Sequence, residues 1–153
     1  VTTTNYSQLQ LAINGQKFNQ STMTNNLLTC GQLERKLSQE IQAFYRQHLG
    51  HQPSKVTCQF FGTKLAIIIE NSITSAEKIL IDEGKSELAQ KVRSNLDDAI
   101  QPELKQLIET TAEVEVVDIL SDATLDTGRT GIIVILSQTP TVRNPESIPK
   151  VKN

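Results

Sequence analysis

The sequence predicts a two-layer α+β domain: a four-stranded, mainly antiparallel sheet built from two hairpins, with helices on one face. Three observations lead there. Apolar residues recur every three or four positions through 32–49 and again from 74 to 108. Two segments, 56–69 and 114–136, each hold a pair of short β-rich runs joined by a polar turn. The resulting order, helix, hairpin, kinked helix, hairpin, is that of helices laid on an antiparallel sheet.

Gln32–Leu49 reads as the first helix, with Leu33, Leu37, Ile41, Phe44, Tyr45 and Leu49 on one stripe. Gly50 and Pro53 supply its stop. In the first hairpin, Val56, Cys58 and Phe60 alternate onto one face. Gly62-Thr-Lys64 makes the turn, and Leu65-Ala-Ile-Ile-Ile69 is the return strand. Thr74-Ser-Ala-Glu77 is a capping box, in which hydroxyl and carboxylate each take a backbone N–H of the other residue. A second helix therefore starts there. At about 100° per residue, Ile81, Gly84, Leu88, Val92 and Ala99 share a face of it. The set Ile100, Leu104, Leu107 and Ile108 is out of phase with that stripe, and Pro102 lies at the shift. Proline lacks the helical N–H, so a kink or restart is expected there. Val114–Leu120 is the third strand, Ser121–Thr130 a polar loop and Gly131–Leu136 the fourth strand.

On this reading residues 1–31 form a flexible polar tail, 32–138 one domain, and 139–153, with Pro140, Pro145 and Pro149, an extended tail. A chain of 153 residues suits a single domain, and 37% apolar with 21% charged residues is an ordinary soluble balance. With aromatics at 4% and no Trp, aliphatic side chains must build the core. A net charge of −2 gives no basic surface for nucleic acid or anionic lipid. No run of apolar residues is long enough to span a bilayer, and Val1–Tyr6 has no secretory-signal pattern. Cys30 and Cys58 make neither a disulfide framework nor a zinc spacing, which suits a reducing, cytoplasmic compartment.

Gly84-Lys-Ser86 has the ending of a phosphate loop. The full motif needs a glycine four residues earlier, and Ile79 stands there. With the capping box ten residues upstream, Gly84 falls inside the helix, its N–H committed to Leu80, so nucleotide binding is not expected. A helix glycine on the apolar face instead points to close packing. His48 and His51 flank a helix end without further ligands, and Cys58 belongs to the core face. Asp118, Asp122 and Asp126 recur every fourth residue, but the calcium-loop spacing and its terminal Glu are missing. No metal or cofactor is expected. The candidate ligand or partner contacts are Gly84, Arg93, Ser121, Asp122, Asp126 and Arg129. Arg93, beside Leu96, reads either as an anchor at the buried edge or as an anion ligand.

Taken in order, Gly50-His-Gln-Pro53, a hairpin, Ile73-Thr-Ser-Ala-Glu77, Glu83-Gly84, Arg93 and Leu120-Ser-Asp122 resemble the MpsC family. This is a small bacterial domain linked to a sodium-translocating, membrane-potential-generating system. The resemblance covers about residues 33–137. One departure is Ala112-Glu113, where the family often has Thr-Gly, so a left-handed glycine cap is not expected there. The resemblance implies a soluble accessory or regulatory protein, cytoplasmic or peripheral to the membrane, tied to an ion or inorganic-carbon transport system. It carries over no catalytic residue. Three functions follow: an accessory protein acting by protein contact or self-association, a small-ligand or ion sensor, and, behind both, an enzyme.

Overall fold

The computed structural model describes residues 26–152. Residues 1–25 and 153 lie outside the described residues, and most of the expected N-terminal tail falls among them. Helix α1, Cys30–Leu49, starts two residues earlier than its apolar stripe indicates. The Thr29 hydroxyl accepts from Gln32 N at 3.1 Å and the Gln32 side chain accepts from Thr29 N at 2.9 Å, a capping box at the edge of the expected tail. Gly50 ends α1 in the left-handed region at φ 65°, the conformation glycine adopts without a Cβ penalty.

Strands β1 (Lys55–Phe61) and β2 (Lys64–Glu70) form the first hairpin, and β3 (Val116–Thr124) and β4 (Arg129–Leu136) the second. All pairings are antiparallel and the spatial order is β1-β2-β4-β3. Ser121–Thr130 is therefore not one loop. β3 runs on to Thr124 and β4 begins at Arg129, so only 125–128 turn.

The expected single kinked helix is two helices, and the break is elsewhere. Helix α2 is Ser75–Asp82 and helix α3 is Ser86–Ala112, continuous through Pro102. Gly84, at φ 74°, accounts for the break. Its N–H reaches the Ile81 carbonyl at 3.0 Å and the Lys85 N–H reaches Leu80 at 2.7 Å. Those two bonds are the Schellman pattern that closes a helix on a left-handed residue. Gly84 is exposed with nothing within 4 Å of where a Cβ would stand, so close packing does not account for this glycine.

One face of the sheet is the core. Cys58, Phe60, Leu65, Ile67, Ile69, Ile132, Val134 and Leu136 meet Leu33, Leu37, Ile41 and Phe44 of α1 and Ile100, Leu104 and Ile108 of α3. The Pro-containing segment after β4 is extended apart from a 3-10 turn at Pro145–Ser147, and it lies on this core. Val142 and Ile148 are buried in it. Arg143 N donates to Leu28 O at 2.9 Å, Cys30 N to Asn144 Oδ1 at 2.8 Å, and Gly62 N to Pro149 O at 2.7 Å. The folded body thus continues past residue 138.

Candidate functional site

The helical phase of α3 differs from its expected stripe. Its buried side is Ala89, Arg93, Ile100, Leu104, Ile108 and Ala112, while Leu88 of the expected stripe is exposed. Arg93 is 1% exposed and enters the interior among those apolar residues. A buried guanidinium must be met by charge and hydrogen bonds. Glu77, also fully buried, meets it with both oxygens: Arg93 Nε donates to Oε1 at 2.7 Å and Nη2 to Oε2 at 2.5 Å. Nη2 also donates to the Ser72 carbonyl at 3.0 Å, and Nη1 to Asp97 Oδ1 at 3.3 Å.

The capping box is part of the same cluster. Thr74 N and Oγ1 both donate to Glu77 Oε2, at 2.8 and 2.7 Å. One carboxylate therefore starts α2 and fastens it to α3. Burial alone would push the Glu77 carboxyl up, but the bonds from Arg93 and Thr74 outweigh it and hold the group below the usual carboxylate range. Burial wins at Asp97, whose carboxyl is raised despite Arg93 beside it. The Ser72 hydroxyl donates to Gly128 O at 3.1 Å and lies 2.8 Å from Thr130 Oγ1, which ties the cluster to the turn of the second hairpin.

Beside the cluster is a cavity of about 10 Å³, bounded in part by Tyr45, Asp97, Gln101, Ser121 and Thr130. That volume suits about one water molecule and no larger ligand. Burial, then the Asp97 charge, push the Tyr45 hydroxyl pKa up. The candidate residues from the sequence thus do not form one pocket. Arg93 is interior and committed to its own chain, as an anchor rather than a free anion ligand. Ser121 borders the cavity, and Asp122, on the opposite sheet face, accepts the N–H of Ala123 at 2.9 Å. Asp126 is exposed in the turn, Arg129 pairs with Glu70 at 2.8 Å, and Gly84 is a helix stop. The Arg93–Asp97 pair has the i, i+4 spacing visible in the sequence, whereas the partner role of Glu77 was hidden there by its local explanation as a cap.

The remaining titratable candidates are also engaged. His48 Nδ1 lies 3.0 Å from Glu103 Oε2 with its ring 4.2 Å from that of Phe44, and His51 Nε2 donates to Asn71 O at 2.8 Å. Cys30 and Cys58 are buried, and burial raises each thiol to about 11. Such thiols are almost wholly protonated near neutrality and weak as nucleophiles. Among the described residues no cluster of His, Cys, Asp and Glu could hold a metal ion, and no helix is long and apolar enough to cross a membrane.

Apolar surface is the other prominent feature. On the sheet face away from the helices, Ile68 is 43% and Leu120 56% exposed, with Ala66, Ile133 and Ile135 half-buried between them. Ile79 of α2 and Leu88 of α3 form a smaller exposed pair near the Gly84 turn.

Residues 29–138 match the model of a family described as "Na+-translocating membrane potential-generating system (MpsC)". Among curated proteins and among solved structures, none matches the chain.

Proposed function

The chain belongs to the MpsC family, and on that premise we propose that it is an accessory or regulatory protein of a membrane ion-transport system, acting by protein contact rather than by catalysis. The observation that carries this is the contrast between interior and surface. The buried polar groups around Arg93 are saturated by their own chain, whereas a broad apolar sheet face has no covering element among the described residues. Contiguous exposed apolar surface marks interaction sites on folded proteins. The cavity next to Asp97 is too small for a signalling ligand, so the buried cluster itself offers no sensor pocket.

The test is recovery of the tagged full-length chain from its native cells after mild solubilisation of the membranes. The expected result is co-purification of a polytopic ion or inorganic-carbon transport protein. Recovery of the chain without any integral membrane protein would overturn the proposal. A thermal-shift series with sodium, bicarbonate and nucleotides adds an independent check. A sensor would show stabilisation of about 2.7 kcal/mol at a hundred times its Kd, and a flat response is expected here.

A further inference from the structure

The geometry points to a second copy of this chain as the occupant of the sheet face that no described element covers, giving a two-fold dimer in which the two sheets pack face to face. This deepens the contact reading above by naming one partner, and it leaves the Ile79–Leu88 patch free for another.

Edge pairing is the other way a four-stranded sheet assembles, and here the β3 edge is guarded at several positions and the β1 edge at one. On β1, the Phe60 N–H is taken by Glu34 Oε1 of α1 at 3.0 Å. On β3, the Ile119 and Ala123 N–H groups are each taken by the carboxylate of the preceding residue, Asp118 and Asp122, at 2.9 Å. Val116 N is taken by Glu109 Oε2 at 3.1 Å, and Gln101 Nε2 donates to the Ile119 carbonyl at 3.3 Å. A bulge between Val116 and Asp118 further breaks the regular edge, with Val117 63% exposed at it. The apolar face carries no such guard among the described residues.

That face is laid out as an interface, with an apolar centre inside a polar rim. The registers place Ile68 beside Gly131, Ala66 beside Ile133, and Ile133 beside Leu120. The Ile68 side chain reaches toward Gly131, its Cδ1 3.9 Å from where a Cβ would stand, so the middle of the sheet is covered by an aliphatic surface. Thr57 and Gln59 lie along one margin and Asp118 and Asp122 along the other. Four strands about 4.8 Å apart and about 3.3 Å per residue give a flat footprint near 20 by 23 Å. That footprint, about 460 Å², is below the ~800 Å² per partner of a standard interface and fits a weak, concentration-dependent dimer. A two-fold axis running across the strands pairs the charges at the strand ends, while it brings Asp118 and Asp122 of both copies along one margin. Such an axis lays the Glu70–Arg129 end of one copy over the Lys64–Asp118 end of the other, setting Glu70 opposite Lys64 and Arg129 next to Asp118.

The experiment is sedimentation velocity on the full-length chain across a concentration series. A dimer is expected, and Ile68→Glu with Leu120→Glu is expected to raise its Kd at least about a hundredfold while the circular dichroism and melting cooperativity stay native. Leu88→Glu, on the helical side, should leave the dimer intact. Because a double charge insertion could unfold the chain, a charge-swap set gives a second reading: Lys64→Glu and Glu70→Lys each weaken the dimer about tenfold, and combining them restores it. A full-length chain that stays monomeric at all concentrations overturns the inference. So does a dimer indifferent to Ile68→Glu and Leu120→Glu, or a swap pair that fails to rescue. Failure to recover a transport protein from membranes would leave this dimer standing, so the two proposals fail separately.

Discussion

Glu77 and Asp97 face the same guanidinium and should respond to mutation in opposite ways. Glu77→Gln leaves the buried Arg93 charge short of its main partner, and breaking a buried pair on one side costs about 3–5 kcal/mol. Asp97 is held with a raised pKa, so its ionised form is the less favoured one in the fold. Asp97→Asn imitates the neutral form and should change stability little or raise it at neutral pH. Urea titration of the two variants checks this, and equal losses would contradict it. The pH dependence follows by sign. Glu77, with a lowered folded pKa, contributes stability above its unfolded value that is lost as pH falls through the folded one. Asp97 runs the other way and its penalty is relieved on acidification. Stability should therefore fall as pH drops from the ordinary carboxylate range toward the lowered folded value of Glu77, and Glu77→Gln, already less stable at neutral pH, should lack this part of the acid-dependent loss. Glu113 is a further residue under strain. It ends α3 at φ 54°, a left-handed cap made without glycine. The left-handed conformation costs a residue with a Cβ about 1–2 kcal/mol. Part of that relief is lost to glycine's greater unfolded entropy, so Glu113→Gly should raise stability by about 0.5–1 kcal/mol, read as a higher Tm.

At the level of elements, Gly84 and Pro102 make the sharpest test. If Gly84 lay within a helix, Gly84→Ala would stabilise by about 1 kcal/mol. At φ 74° in a Schellman turn it should instead destabilise by a similar amount. Pro102 sits exposed within a helix that runs on through it, so Pro102→Ala restores a backbone donor and should stabilise by up to about 3 kcal/mol. These two residues also show where reading the sequence succeeded and where it did not. Both hairpins, α1 and the Thr74–Glu77 start of α2 were legible because period and capping chemistry agree there. The helix break was misplaced because the stripe through Leu88 and Val92 gives α3 the wrong phase, and the true core face carries an arginine where a hydrophobe is expected. Periodicity cannot register a charged core position whose partner, Glu77, lies sixteen residues away. Strand ends were underdrawn for a related reason. Ser121–Thr124 and Arg129–Thr130 are polar yet paired, since the ladder Ser121–Ile132 through Thr124–Arg129 is held by backbone.

Across the whole molecule, the segment after β4 works as a strap. It leaves the sheet at Leu136, crosses the start of α1 at Leu28–Cys30 and reaches the β1–β2 turn at Gly62, so it ties the start of α1 to the first hairpin. It begins where the family match ends, at residue 138, so these contacts belong to this chain beyond the matched region. Its anchors are Val142 and Ile148, both buried in the main core rather than in a satellite cluster. Truncating a buried Ile to Ala costs about 2–5 kcal/mol, and Val somewhat less. Against a typical total of about 5–15 kcal/mol, Val142→Ala with Ile148→Ala should therefore lower the urea midpoint steeply. Both anchors belong to the one core cluster, so the transition should stay single. Hydrogen exchange gives the discriminating measurement. If the strap is integral to the core, amides of α1 near Cys30 and of the β1–β2 turn lose protection together in the double variant. If it is a loosely held tail, only residues 139–152 exchange faster and the midpoint barely moves.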